Sequence, residues 1–146
     1  MADNFIYSVG LNNVGSYQVS GIPFASGGIT APALSGTPIK VEFPFVTRWV
    51  KIVPVTGSQA THLRVGFSAN GVKNGNFFRY VVGNNLNHES APSAPLEMKV
   101  TELYFIGDNS ATAEFDLVAG LTNIPVERID NISPSGSNWS GSAGVG

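Results

Sequence analysis

The side chains that could do chemistry in this 146-residue chain are few and dispersed. His62 begins an apolar run and His88 lies in a polar stretch, and with no Cys in the chain neither has the partners of a zinc site. Glu114 and Asp116 alternate on one strand, about 7 Å apart, as a pair of glycosidase carboxylates could. Such acids more often mark the solvent side of a strand. We therefore predict no catalytic residue and no metal ligand.

Motifs for cofactors and for secretion are also missing from the sequence. It contains no nucleophile elbow, phosphate-binding loop or dinucleotide fingerprint, so we predict no cofactor. Glycosylation-type triplets begin at Asn131 and Asn138, within a Ser- and Asn-rich stretch where such matches arise by chance. The opening MADNFIYSVG has an acid at Asp3 and no basic region, which is not typical of a secretory signal. We expect an unglycosylated protein that is made in the cytoplasm.

The composition excludes two classes of partner. The eight Lys and Arg are scattered singly at a net charge of -2, which does not favour a nucleic-acid surface. No apolar run approaches the length of a membrane span. Charged residues make up only 12% of the chain, about half the usual share. Low charge is typical either of a turn-rich all-β domain or of a surface that contacts other proteins.

The elements that would position these residues are strands, because apolar residues alternate with a period of two. The alternation is clear in IKVEF (39–43), HLRVGF (62–67) and AEFDLVAGL (113–121). RWVKIVPV (48–55) is apolar on both faces, which indicates a more central strand. Clusters of Gly, Asn and Pro separate about seven or eight such runs, as in β-sandwiches and jelly rolls.

Two features near the end of the strand region predict local irregularities. The alternation changes phase between LEMKV (96–100) and TELYFIG (101–107), which a β-bulge at Thr101 and Glu102 would explain. GDNSA (107–111) has the composition of a hairpin turn.

The fold prediction is therefore an all-β protein, a single antiparallel β-sandwich that is jelly-roll-like. We assign the sandwich to residues 1–130 and an extended Gly/Ser-rich C-terminal arm to residues 131–146.

Four aromatic residues on the predicted strands allow two interpretations. Trp49, Phe77, Phe78 and Tyr80 could form a platform on which sugar rings stack. Aromatic residues at alternating strand positions are more often part of the core, and we predict that role for them. Trp139 differs, because the residues around it are too small and polar to form a core.

Several segments resemble one family of proteins. YSVGLNNVGSYQVSGIPF (7–24) resembles the opening of small virion structural proteins of marine tailed phages, particularly those that infect cyanobacteria. KVEFPFVTRWVKI (40–52) and LRVGFSANG (63–71) are similar to central strands of that family, and LYFIG (103–107) with FDLVAGLTNIP (115–125) to its closing hairpin. The similarity is a pattern of strand residues rather than a catalytic motif.

The resemblance spans most of residues 5–126 and implies a β-sandwich built into the phage particle. Within that family the expected role is a capsid decoration (cement) protein on the head surface, bound to the major capsid protein as a homo-oligomer. A tail or fibre adaptor, or a receptor-binding component, is the alternative within the virion. A carbohydrate-binding module is the alternative outside it, and an enzyme ranks last.

Both ends of the chain offer candidate protein interfaces. Phe5, Ile6 and Tyr7 form an apolar, β-prone stretch that could add a strand to a neighbour's sheet. Asn138 and Trp139 lie in the Gly/Ser-rich arm, where the indole could anchor it on another subunit. We predict these five residues as interface residues.

Overall fold

The computed structural model describes residues 21–55, 61–82, 93–128 and 141–146. These ranges contain seven β-strands, one α-helix and one 3-10 helix, and none of their helices is long and apolar enough to cross a membrane. In chain order the elements are β1 (Ile22–Ala31), β2 (Ile39–Glu42), β3 (Phe45–Pro54), β4 (Thr61–Gly66), α1 (Ala69–Asn74), β5 (Phe77–Val82), β6 (Glu102–Gly107), β7 (Ala113–Pro125) and the 3-10 helix (Val126–Arg128).

The strands form two antiparallel sheets. Sheet A has the strand order β1-β7-β3, and sheet B has the order β2-β6-β4-β5. Only β4 and β5 are both consecutive in the chain and paired with each other, so most connections cross between the sheets. The predicted all-β sandwich is confirmed.

Residues 93–100, which we call the strap, run along the edge of β3 that faces away from β7. Val50 and Leu96 exchange backbone hydrogen bonds of 2.9 and 2.7 Å, and the amide of Ser93 donates to the carbonyl of Ile52 at 2.8 Å. The strap therefore holds the fourth position of sheet A. The two layers, β1-β7-β3-strap and β2-β6-β4-β5, have the predicted jelly-roll-like arrangement, and the edge of β3 is covered.

The side chain of Thr47 holds the C-terminal end of the strap in place. Its fully buried hydroxyl donates to the carbonyl of Met98 at 2.7 Å and accepts from the amide of Val100 at 3.0 Å. The backbone amide of Thr47 also donates to the carbonyl of Val100 at 3.0 Å. One β3 side chain thus satisfies two polar groups of the strap that would otherwise be buried without a partner.

Replacing Thr47 by Val should lower the free energy of unfolding by about 1–3 kcal/mol, because two buried backbone groups lose their partner. The loss should appear as a lower urea midpoint and as faster hydrogen exchange at the Val100 amide. Thr30→Val is the control, since Thr30 is exposed on β1 and the substitution has the same shape. Equal losses from both variants would show that the Thr47 hydroxyl does not hold the strap.

The core lies between the two sheets and is formed by the inward residues of both. Its centre is the pair Phe105 of β6 and Phe115 of β7, whose ring centroids are 4.4 Å apart. Both side chains are fully buried. The buried core cluster comprises Ala31, Phe43, Val50, Ile52, Leu63, Val65, Val82, Val100, Leu103, Phe105, Ala113, Phe115, Leu117, Ala119 and Leu121.

Two local predictions are wrong for one shared reason. The phase change at Thr101 and Glu102 is not a bulge, because the chain leaves the strap in sheet A at Val100 and enters β6 of sheet B at Glu102. Residues 107–111 are not a hairpin turn, because β6 and β7 belong to different sheets. The inward rings of Phe105 on β6 and Phe115 on β7 contact each other across the core, so the two strands face each other instead of pairing.

Helix α1 packs on sheet B, against β4, β5 and β6. The hydroxyl of Ser68 caps it by accepting from the amide of Gly71 at 2.8 Å. Gly66 of β4 allows a close approach, since a Cβ at that position would lie 2.9 Å from the Cβ of Val72. Val72 is fully buried as a result.

Candidate functional site

The five predicted interface residues, Phe5, Ile6, Tyr7, Asn138 and Trp139, lie outside the described residues. Their role stays a prediction, and so does the assignment of residues 1–130 and 131–146 to a sandwich and an arm.

The carboxylates of β7 have separate surroundings. Glu114 is exposed, whereas Asp116 accepts a 2.7 Å hydrogen bond from the amide of Gly28. Gly28 has a φ of 66° and lies in the bulge where the β1–β7 register shifts, so the Asp116 carboxylate holds that bulge. His62 is exposed at the start of β4. Within residues 21–55, 61–82, 93–128 and 141–146, no three acidic or imidazole side chains group as metal ligands would.

The four strand aromatics do not form one platform. Phe78 and Tyr80 pack against the core, with ring centroids 5.7 Å apart in an edge-to-face arrangement. The core prediction holds for these two residues.

Phe77 lies on the outer face of sheet B, beneath the guanidinium groups of Arg64 and Arg79. Trp49 lies on the outer face of sheet A, because the next residue along β3, Val50, is fully buried in the core. The core prediction is wrong for these two residues, because each occupies the outward parity of its strand.

The outer face of sheet A presents apolar residues in rows across three strands. Trp49 of β3 and Pro23 of β1 both pair with Gly120 of β7, and Val118 lies one step along β7 on the same face. Directly opposite residues in adjacent strands share a face of the sheet. Because Gly120 has no side chain, the Trp49 and Pro23 rings border a shallow depression, which Val118 also lines. We call Pro23, Trp49, Val118 and Gly120 the Trp49 shelf.

The polar residues around the shelf are few. They include Lys51 of β3, which lies directly across from Val118, and Asp116 of β7, which lies directly across from Val53. Val118 is 37% exposed, which is high for a large aliphatic residue on a central strand. An apolar centre with a sparse charged rim is the composition of a protein-binding surface.

The outer face of sheet B is charged. Asp108 receives the guanidinium of Arg64 on one carboxylate oxygen and that of Arg79 on the other, the second at 3.3 Å. Both guanidinium groups lie over the ring of Phe77, at 4.2 and 4.9 Å from its centroid. Arg64 also donates to the carbonyl of Lys73 at 3.2 Å, which ties this cluster to α1.

A second charged group lies on β2 and β6 of the same face. The ammonium of Lys40 is 2.6 Å from Glu42 and 3.5 Å from Glu102, and the hydroxyl of Tyr104 donates to Glu102 at 3.2 Å. The contact with Glu42 raises the pKa of Lys40. Burial raises the pKa of Tyr104, and the charge of Glu102 adds to the effect. Burial also raises the pKa of Tyr80 on β5.

These shifts predict a loss of stability at alkaline pH. A group whose pKa is raised by folding stabilises the protein below its unfolded pKa, and this stabilisation is lost as pH rises through the folded value. The unfolded values are 10.0 for tyrosine and 10.5 for lysine. The contribution of these three groups to the free energy of unfolding should therefore be constant up to about pH 9 and fall above pH 10.

Urea unfolding at a series of pH values checks this. The double variant Tyr80→Phe and Tyr104→Phe should lose less stability above pH 10 than the wild type, because neither phenol is left to ionise. A parallel fall in the two proteins would assign the alkaline loss to other groups.

Comparison with models of protein families, with curated proteins and with solved structures finds no match.

The sequence analysis did not identify the Trp49 shelf, although the alternation in residues 113–121 contains part of the pattern that indicates it. In AEFDLVAGL the outward parity carries Glu114, Asp116 and then Val118, so an apolar residue follows two acids on the solvent side. Trp49 and Pro23 flank Gly120 because of the registers of β3 and β1 on β7. No local sequence pattern predicts such a register.

Proposed function

We propose that this chain is a non-enzymatic structural protein of a phage virion, a decoration (cement) protein that binds and stabilises the assembled head. The observation that carries the proposal is the Trp49 shelf. It is an apolar, charge-poor surface on the outer face of sheet A, centred on β7. Such a surface favours binding to another protein.

Three further features support this role. Jelly-roll-like sandwiches serve viral capsid and lectin domains among other functions, so the architecture is compatible with a virion protein without deciding it. The sequence resemblance covers residues 7–24, 40–52, 63–71, 103–107 and 115–125. The opposite, charged face of sheet B gives the molecule two unlike sides, which suits a protein that binds a shell with one side and faces water with the other.

In this role the shelf contacts the major capsid protein and the charged face of sheet B points to solvent. The mechanism is stabilisation by mass action, since a protein that binds only the assembled shell lowers the free energy of that state. Copies form a homo-oligomer on the head surface, and neither nucleic acid nor a membrane takes part.

The test adds the purified full chain to phage heads that lack it. We expect binding over the whole shell, measured by quantitative mass spectrometry, and greater resistance of the heads to heat. Binding restricted to one vertex would support the tail or fibre adaptor instead. No binding to any part of the particle would overturn the virion proposal.

A carbohydrate-binding module is the second candidate, because Trp49 lies partly exposed beside Lys51 on an open shelf. An indole next to a hydrogen-bond donor can stack on and orient a sugar ring. Titration of Trp49 fluorescence with host polysaccharide, in a Trp139→Phe background, separates the two roles. A saturable shift in emission would favour sugar binding, and an unchanged spectrum would remove its best residue.

A further inference from the structure

The β5 edge of sheet B is positively charged. Arg64 of β4 and Arg79 of β5 lie directly opposite each other on the outer face. Like charges at opposite positions of a sheet are unfavourable. The carboxylate of Asp108 contacts both guanidinium groups and offsets one of them, so that the three side chains keep a net charge of +1. We call Arg64, Arg79 and Asp108 the positive edge.

Arg79 is the member of the positive edge that reaches solvent. Its side chain is 49% exposed, against 12% for Arg64 and 18% for Asp108. The ion pair with Asp108 and the ring of Phe77, 4.9 Å from the guanidinium, hold it in position. Within the described residues it has no further ionic partner. The edge therefore presents a fixed cation to its surroundings.

The β2 edge of the same sheet is negatively charged. The ammonium of Lys40 contacts the carboxylates of Glu42 and Glu102, and one ammonium with two carboxylates leaves a net charge of -1. Glu42 is the most exposed of the three, with 67% of its side chain accessible. We call Lys40, Glu42 and Glu102 the negative edge. Opposite sides of sheet B thus carry opposite charge.

The strand directions allow the two edges to meet. All three pairings in sheet B are antiparallel, so β2 and β4 run one way and β6 and β5 run the other. When two copies lie side by side in the same orientation, β5 of one copy is antiparallel to β2 of the next. In the part of the chain that the structure describes, no strand pairs with the outer edge of β2 or β5. Unpaired edges of this kind are templates for another chain.

The edges of sheet A are less suited to such a contact. The strap covers β3 and has Pro95 in its own backbone, while β1 contains Pro23 and the bulge at Gly28. Proline removes an amide donor and a bulge interrupts the ladder, so both oppose pairing at an edge. Neither β2 nor β5 has a proline or a shift of register. Their charges are what selects the strand that can approach.

We propose that neighbouring copies bind head to tail through these edges, with β5 of one copy beside β2 of the next and Arg79 facing Glu42. The inference deepens the proposed function and rests on it only for the shell that sets copies side by side. The contact lies at the sides of sheet B, so the Trp49 shelf stays free for the capsid. Because each copy presents one edge of each kind, the contact repeats in a row or a closed ring.

The contact combines charge with strand pairing and repetition, because a single surface ion pair is weak. Opposite charges orient the approaching copy, and two edges of like charge disfavour the wrong pairing. Main-chain hydrogen bonds between β5 and β2 add affinity. Repetition of the contact along a layer raises the avidity of the whole.

Two full-length charge-reversal variants test the contact by complementation. Arg79→Glu changes the net charge of the positive edge from +1 to -1, and Glu42→Lys changes that of the negative edge from -1 to +1. Each variant alone has two edges of the same sign, which repel. In an equimolar mixture, every edge of one variant finds an edge of opposite sign on the other.

Sedimentation velocity and native mass spectrometry give the measurement. We expect the wild type to assemble at about 10 mM salt and to dissociate near 1 M, where the screening length falls from about 30 Å to about 3 Å. Each variant should be monomeric at low salt, and the mixture should regain assemblies that contain both in a 1:1 ratio. Glu114→Lys is the control, since this exposed acid on β7 gives the same change in net charge away from both edges. It should assemble like the wild type.

Should Arg79→Glu lose its near-ultraviolet circular dichroism, Arg79→Gln replaces it. This variant leaves the positive edge neutral, so its mixture with Glu42→Lys should give 1:1 dimers and nothing larger, because one attractive contact remains.

A wild type that stays monomeric at low salt overturns the proposal, as does a mixture that shows only the species of the separate variants. The assay contains no heads. Assembly without head binding would therefore overturn the proposed function alone, and head binding without assembly would overturn this inference alone.

Discussion

Replacing Phe115 by Ala should destabilise the protein by about 3–5 kcal/mol, a large part of the stability of a domain of this size. Phe115 is fully buried on β7, the central strand of sheet A, and packs on Phe105 of sheet B. Alanine removes the ring and leaves a cavity between the sheets. The surrounding strands cannot collapse into it, because β7 is hydrogen-bonded to β1 on one side and β3 on the other.

Urea unfolding followed by circular dichroism gives the measurement. Val118→Ala is the matched control on the same strand, where the side chain is 37% exposed and points away from the core. Its effect should stay within about 0.5 kcal/mol. Similar losses from the two variants would mean that the outer face of β7 is as tightly packed as the inner face.

The faces of the strands could be predicted from the sequence, because burial follows a period of two. AEFDLVAGL places Phe115, Leu117 and Ala119 inward, and all three are buried in the core. The same rule gives Leu63 and Val65 of β4 as inward residues. Alternation is a local property, so that a short window of sequence carries it.

The pairing of the strands could not be predicted in the same way. The wrong hairpin at 107–111 and the wrong bulge at Thr101 both assumed that consecutive runs stay in one sheet. In this fold β6 pairs with β2 and β4, whereas β7 pairs with β1 and β3. These contacts join residues far apart in the chain, and a turn has the same composition whether it closes a hairpin or crosses between sheets.

The candidate site was likewise predictable in the direction of its side chains but not in the pairing of its strands. The outward direction of Val118 was available from its parity, but the junction of Trp49, Pro23 and Gly120 needs the registers of β1 and β3 on β7. The contact between the Ser68 hydroxyl and the backbone of Val145 likewise joins residues separated by 77 positions. No motif signals it, because the oxygen that Ser68 contacts belongs to the backbone.

The largest functional effect should come from a charge placed in the Trp49 shelf. Val118→Arg puts a guanidinium at the centre of the shelf, directly across from Lys51. A carboxylate at this position would be partly compensated by the Lys51 ammonium, whereas arginine adds a like charge. If the shelf contacts the capsid, burying this unpaired charge should weaken head binding by about 100-fold or more, equivalent to about 3 kcal/mol.

Val81→Arg is the control on the opposite face. Val81 is 49% exposed on β5, pairs with His62 and lies two residues from Arg79, so that the same substitution meets a similar charge environment. Both variants should unfold within about 0.5 kcal/mol of the wild type, since both sites are on the surface. Co-sedimentation of each variant with heads that lack the protein measures the binding. Loss in Val118→Arg alone assigns the capsid contact to sheet A, whereas loss in Val81→Arg alone would move it to sheet B, because each arginine changes only one outer face.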